Sequence, residues 1–318
     1  YVAPIAILNV GTIDNCHNSA DLTGNNTNAT ASDKYDYLAG IVGVIKGDGA
    51  TVTNCSSSGK IVVNAPCQVI LGGIVGYAQR SANNISFTME NLTCSSEIEI
   101  NHTGAAWEYI GGVLGNMVDN NSKIKKFTLK NCDFSGAINL IKGPRTRGGG
   151  VFGHCGQTTD YEVSGNVFTG VVNITSTEVV DRLVGGVGPG FSEAGATGTV
   201  SNCTFDGTIK AVNGGNLYLG GIYGNNGSAS VVIDGCKTTA RSSIEGYTTA
   251  KSVAMIAARP NAAGFTVKNC NVAGQIYDPV TAKSTVTISE SNIADWMFKG
   301  TATTVSVTLD NNGFNAEN

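Results

Sequence analysis

The chain has 318 residues, 14% of them charged and 41% hydrophobic, with a formal net charge of -4. That balance supplies no basic surface for nucleic acid, and no run of 18 apolar residues exists to cross a membrane as a helix. Length alone would allow two ordinary domains, but internal repetition argues for one elongated unit, because a solenoid grows along one axis.

Three phrases recur in a fixed order. The first is a glycine phrase: VAPIAI (residues 2–7) is a degenerate opening copy, followed by LAGIVG (38–43), LGGIVG (71–76), IGGVLG (110–115), GGGVFG (148–153), VGGVGP (184–189), LGGIYG (219–224) and the degenerate VAMIAA (253–258). The second phrase, TVTNC and its relatives, ends at a cysteine. It places Cys16, Cys55, Cys94, Cys132, Cys203, Cys236 and Cys270 in one slot, with Val167 filling it in the fifth copy. The third is a short strand centred on Leu22, Ile61, Ile98, Ile138, Val172, Ile209, Ile244 and Ile276. Successive cysteine slots lie 33 to 39 residues apart, the drift expected when strands are fixed and loops vary.

Period-two alternation in glycine-rich, proline-poor phrases argues strand. Three strands per repeat, stacked eight times, predict an all-β fold: a right-handed parallel β-helix of about eight three-strand turns over residues 1–280. The right hand follows from the general rule for parallel crossovers. Residues 281–318 drop the repeat and are expected to form a strand-rich C-terminal β cap, with Trp296, Met297 and Phe298 covering the last turn, since an open solenoid end is a free strand edge.

In the glycine phrase, aliphatic residues such as Leu219 and Ile222 are three apart and cannot both point inward in a regular strand. A bulge or a bend at the glycines reconciles them. Gly148, Gly150 and Gly153 match a dinucleotide-binding pattern, but no helical period follows, so the match is the repeat phrase itself. The cysteine slot, where valine substitutes, calls for a small, buried, mildly apolar side chain. Its members are expected to be free thiols, because stacked residues in register hold their Cβ vectors parallel. Cys67 and Cys155 fall outside it.

Set side by side, the glycine, NC and SGxI phrases resemble the GLUG-type repeats of bacterial surface proteins, from residue 1 to about 280. The resemblance implies a β-helical, extracellular, adhesive module of an exported bacterial protein. It carries over no catalytic residue. The chain begins at Tyr1 without a methionine and without a basic, then apolar, leader, so targeting information is absent from it and not negative.

A search for chemistry gives little. Glu97 and Glu99 flank inward Ile98 and face outward beside Lys60, a solvated arrangement and not a pair of carboxyl groups across a cleft. Asp160, Glu162, Asp181, Arg145, Arg147 and His154 share one region and make the best remaining candidate. His17, His102 and His154 fall on different turns, so no metal site and no cofactor is expected. Adjacent His154 and Cys155 point to opposite faces and make no dyad. Lys123, Lys125, Lys126 and Lys130 read as a solvated loop.

The expected function is therefore that of a non-enzymatic cell-surface binding module, contacting glycans or extracellular proteins through polar loops (residues 24–36, 77–84, 101–108 and 116–123) and outer-wall aromatics. Tyr1, Tyr37, Tyr109 and Tyr218 each precede an inward aliphatic residue and so face out, with Tyr35 and Trp107 two residues further back; Trp107, Tyr109, Tyr37 and Tyr218 are the candidate ligand contacts. The alternatives are shielding of a neighbouring turn by these rings, a stalk displaying another domain, and a β-helical polysaccharide-active enzyme.

Overall fold

The computed structural model describes residues 1–27, 35–79, 85–104, 107–117, 125–143, 145–156, 160–176, 180–190, 197–211, 217–226, 230–245, 252–260, 265–278, 284–297 and 307–314. Most of the polar loops singled out above, together with Phe298 and Lys123, lie outside these residues.

The chain is a parallel β-solenoid. A complete turn has five short strands, not three, because the glycine phrase and the NC phrase both bend in the middle; in the turns that begin at Arg145 and Arg182 the second wall is reduced to bridges at Phe152 and Gly188. In one complete turn the first wall is Tyr35–Ala39, the second Val42–Ile45, the third Ala50–Thr53, the fourth Ser56–Ser57 and the fifth Ile61–Ala65. Among the described residues the third and fourth walls have nine parallel strands and the fifth eight with one antiparallel, but the first has seven and the second only four and two, so the solenoid has about six turns against the eight expected. The fifth-wall ladder is the one read from the sequence: Leu22, Ile61, Ile98, Ile138, Val172, Ile209, Ile244 and Ile276 pair in unbroken register.

The NC phrase turns the corner between the third and fourth walls with a left-handed residue. Asn15, Asn54, Asn91, Asn131, Asn202, Asn269 and Asn311 all have φ between 47° and 56°, and Gly165 and Gly235 take the same place at 65° and 64°. Asparagine and glycine are the residues that visit this region at least cost. The side chains then bond along the stack, Asn91 Nδ2 donating to Asn54 Oδ1 at 3.0 Å and Asn311 Nδ2 to Asn269 Oδ1 at 2.9 Å.

The residue after each left-handed corner is the true slot, which corrects two assignments. Thr93 pairs with Ser56 and Asp133, so Leu92 holds the third slot; Cys94 pairs with Ser57 and Phe134 in the fourth wall. Val167 pairs with Asp133 and Thr204, so Asn166 holds the fifth slot. Matching on cysteine misaligned these copies, because the backbone conformation of the preceding residue sets the register.

Nor does the slot merely fill space. At several corners the slot side chain of the next turn accepts from the slot amide: Cys16 N–H donates to Cys55 Sγ and Cys203 N–H to Cys236 Sγ, both at 3.4 Å, and Cys132 N–H to Asn166 Oδ1 at 2.9 Å. Asn166 Nδ2 also donates to the Leu129 carbonyl at 3.0 Å. Asn312 repeats this pattern, accepting from Cys270 N–H and donating to the Val267 carbonyl, both at 2.9 Å.

Asn312 reveals that the tail does not simply drop the repeat. Val307–Asp310 and Gly313–Phe314 continue the third and fourth walls in parallel. Before them, Ser284–Thr287 turns back antiparallel on the fifth wall, and a short helix, Ile293–Met297, buries Trp296 and Met297. Their carbonyls accept from Met255 and Ile256 N–H at 2.7 and 3.0 Å, replacing the next glycine corner. At the opposite end Ile5, Ile7, Leu8 and Val10 lie open, since that turn is stacked on one side only.

The core is a column of aliphatic and aromatic side chains. Phe134, Phe168 and Phe205 stack in the fourth wall with centroids 5.9 and 5.6 Å apart and nearly parallel rings, each such pair contributing about 0.5–1.5 kcal/mol beyond its buried area. Opposite them lie the second glycines of the first phrase. A Cβ at Gly112 would collide with the Phe134 ring and the Gly150 carbonyl, and one at Gly150 with Phe168 and the Gly186 carbonyl. The vertex between the first and second walls is thus pushed inward against the fourth wall. The bend expected at the glycines is a re-entrant one.

Candidate functional site

An inward vertex makes the outer faces of the first two walls meet in a crease along the solenoid. Strands there are buried on both faces, as in Gln68–Gly72 and Val75–Ala78. The register places Tyr37, Ile70, Tyr109, Arg147, Leu183, Tyr218 and Ser252 in one outward column of the first wall. The structure therefore brings Tyr37, Tyr109 and Tyr218 into one column, with Trp107 two residues back on the same side as Tyr109.

The facing column of the second wall includes Val44, Tyr77 and Asn116. Val44, Ile70 and Tyr77 form an apolar cluster apart from the main core, and Tyr37 and Tyr109 pack on it. Ring centroids are 5.3 Å apart for Tyr37 and Tyr77, and again 5.3 Å for Tyr109 and His154. Tyr1 stacks on Tyr37 at 4.6 Å. Tyr218 is only 8% exposed and lies under Arg259, whose Cζ is 4.5 Å from the ring centroid. The tyrosines thus face outward but are partly or wholly covered by the opposite wall of the crease.

Trp107 is the centre of a guanidinium cluster. Arg147 and Arg145 place their Cζ atoms 4.5 and 5.6 Å from its ring centroid. Arg147 Nη1 donates to His154 Nε2 at 2.7 Å, and His154 Nδ1–H in turn donates to Asn116 Oδ1 at 3.2 Å. Burial, and then the Arg147 charge, hold the His154 imidazolium well below its ordinary pKa of 6.5. A neutral ring can accept from Arg147, which fixes the guanidinium against Trp107. Burial raises the Tyr109 phenol.

The other candidates disperse. Glu162 pairs with Lys126 at 3.2 Å on the third wall, where Asp160 also lies, away from the crease that holds Arg147 and His154. Lys60 bridges Glu97 and Glu99 at 3.1 and 3.0 Å, as their flanking positions predict. Cys155 is buried in the core while His154 faces the crease. All nine cysteines are free thiols. Among the described residues no three His, Cys, Asp or Glu side chains group closely enough to hold a metal, and no helix is long and apolar enough to cross a membrane.

Sequence reasoning missed a buried polar cluster where the fifth wall meets the first. Glu108 takes a hydrogen bond from Thr146 Oγ1 at 2.9 Å and contacts His102 Nδ1 at 3.2 Å. Arg182 Nη1 donates to Thr146 Oγ1 at 3.0 Å, while Nη2 reaches the Gly143 carbonyl and Ser176 Oγ at 2.8 and 2.9 Å. The signal was available: inward alternation places Glu108 and Arg182 on the core side of their strands.

No family model matches the chain, and no solved structure matches it. The chain is 28% identical over 208 residues to halomucin of Haloquadratum walsbyi, a match covering 63% of this chain and 2% of halomucin.

Proposed function

We propose that the chain is a cell-surface binding module whose contact surface is the crease around Trp107. The surface role draws on the likeness to halomucin and on the solenoid fold. Adhesive contact with glycans or extracellular proteins is the finer reading. It is supported above all by a tryptophan flanked by Tyr109 and two arginines on an outward face, flat apolar area edged by polar groups. The GLUG resemblance of the repeat phrases, with its implication of a bacterial extracellular adhesin, points the same way. No cofactor is assigned and no catalytic step is needed.

The test is a glycan and extracellular-matrix array, followed by Trp107→Ala on any hit. Binding should be lost with the melting temperature held within a few degrees. Tyr109→Ala is less clean, because Tyr109 also packs on His154. Unaltered binding by folded Trp107→Ala protein, or no binding to any array component, would favour the second reading. That reading is a stalk, supported by the burial of Tyr218 and the packing of Tyr37 and Tyr109 within the crease.

A further inference from the structure

Resting on the surface reading above, we infer that Asn202 is an attachment site for an N-linked glycan. The acceptor motif for that modification is Asn-x-Ser/Thr, with any residue but proline between. Among the described residues Asn25, Asn54, Asn91, Asn101, Asn173 and Asn202 each head such a triplet. Asn54, Asn91 and Asn202 are exposed left-handed corners between the third and fourth walls, where the NC phrase runs on into Ser56, Thr93 and Thr204.

What separates these sites is how tightly each side-chain amide is held. Asn54 Nδ2 donates to Asp14 Oδ1 at 2.8 Å, and Asn91 Nδ2 to Asn54 Oδ1 at 3.0 Å. Asn173 Nδ2 donates to Asn139 Oδ1 at 2.9 Å, and Asn101 Nδ2 bonds both Asn64 Oδ1 and Glu99 Oε1, at 3.1 and 3.2 Å. Asn25 Oδ1 accepts from Asn64 Nδ2 one turn on, at 2.8 Å. A glycan on any of these would stand beside a polar side chain only one rung, about 4.8 Å, away.

Asn202 stands apart. The same corner is Gly165 in the turn before and Gly235 in the turn after, at φ 65° and 64°, so neither neighbouring rung carries a side chain there. Asn91, Asn131 and Asn311 each donate to the asparagine one turn back, but the asparagine behind Asn202 is Asn131, two rungs or about 9.6 Å away. Asn269, which also follows a glycine corner, donates instead to Asp234 Oδ1 at 2.7 Å. The equivalent residue behind Asn202 is Ser164, and its Oγ has no hydrogen-bond partner among the described residues. Asn202 Oδ1 leans the other way, 2.7 Å from where a Cβ on Gly235 would stand.

The column of corners therefore opens a gap at the rung whose exposed asparagine begins the triplet Asn202-Cys203-Thr204. In the transfer Nδ2 bonds to the anomeric carbon of a lipid-linked sugar phosphate, the bond from that carbon to the phosphate oxygen breaks, and the amide gives one proton to the transferase. The transferase reads an extended triplet, so attachment precedes folding, and the solenoid's part is to leave the sugar room. A glycan at the corner of the third and fourth walls also leaves uncovered the crease between the first and second.

The experiment secretes the whole chain from a eukaryotic host and compares peptides of the soluble fraction by mass spectrometry before and after peptide N-glycosidase. Asn202 should be glycosylated in most of the soluble chain, and that one glycan should be lost in both Asn202→Gly and Thr204→Ala. The glycine variant copies the corners at Gly165 and Gly235 and so keeps the fold. The glycosylated chain should melt no lower than Thr204→Ala. Asn202 bare in the soluble chain, its glycan confined to aggregated material, or a glycosylated chain that melts well below Thr204→Ala would overturn the inference. A bare Asn202 in a chain that still binds on the array leaves the binding module standing; a glycosylated Asn202 in a chain that binds nothing does the reverse.

Discussion

Glu108 and Arg182 are two turns apart along the solenoid, yet the Thr146 hydroxyl joins them inside the wall, donating to the carboxylate at 2.9 Å and accepting from the guanidinium at 3.0 Å. Neither charged side chain is exposed. Removing one partner leaves the other charge buried and uncompensated, at a cost of about 3–5 kcal/mol. Glu108→Ala and Arg182→Ala should each lower the urea midpoint severely. Glu108→Leu, Thr146→Val and Arg182→Met combined should recover much of the loss, because apolar groups of similar volume need no partners.

The slot predicts an unusual equivalence. Asn166→Cys should be close to neutral, since cysteine and asparagine accept the same amide from the turn before. Asn166→Ala leaves Cys132 N–H unpaired and buried, costing about 1–3 kcal/mol. Cys132→Ala should cost about 1–2 kcal/mol as a small core truncation, and Cys132→Asp should prevent folding by burying an unpaired charge. Chemical denaturation of the set would rank them.

Alkaline pH should unfold the chain earlier than its carboxylates suggest. Burial raises the thiols of Cys67 and Cys94 to about 11 and that of Cys132 to about 12, from 9.0. A raised thiol pKa contributes stability that is complete below the unfolded value and is lost as pH rises through the folded one. The denaturation midpoint should therefore hold steady up to about pH 8 and decline between about 9 and 12. Alkylation without reductant should label nine cysteines in denaturant and far fewer in the folded state; unlabelled pairs in denaturant would contradict the free thiols.

The left-handed corners make asparagine replaceable by glycine and little else. Asn131, at φ 52°, should lose about 1–2 kcal/mol on change to alanine. Asn131→Gly should cost less, because Gly165 and Gly235 occupy the same corner in other turns. Thermal melts of the two variants measure the difference directly.

At the vertex, Gly112→Ala should destabilise by about 1–3 kcal/mol or more through overpacking. Pairing it with Phe134→Leu should relieve only part of this, since the Gly150 carbonyl also stands in the way. Gly11→Ala, where a Cβ would meet nothing within 4 Å, is the control and should be silent.

The sequence by itself determined the parallel coil, its fifth-wall ladder and the outward tyrosine column, because these depend on period-two alternation and on a repeat length that loops can stretch without disturbing. It also indicated a bulge or a bend at the glycines. What it could not decide was the direction of that bend: whether a corner is convex or re-entrant depends on the facing side chain, such as Phe134 against Gly112, which is close in space and 22 residues away in the chain. That direction turned an outer wall into a crease, half-burying Tyr37 and Tyr109 and setting His154 beside Arg147 and Tyr109. The misplacement of Cys94 and Val167 has the same origin. Side-chain identity suggested one alignment, but backbone pairing between turns fixed another, with Leu92 and Asn166 in the slot and a further copy ending in Asn312.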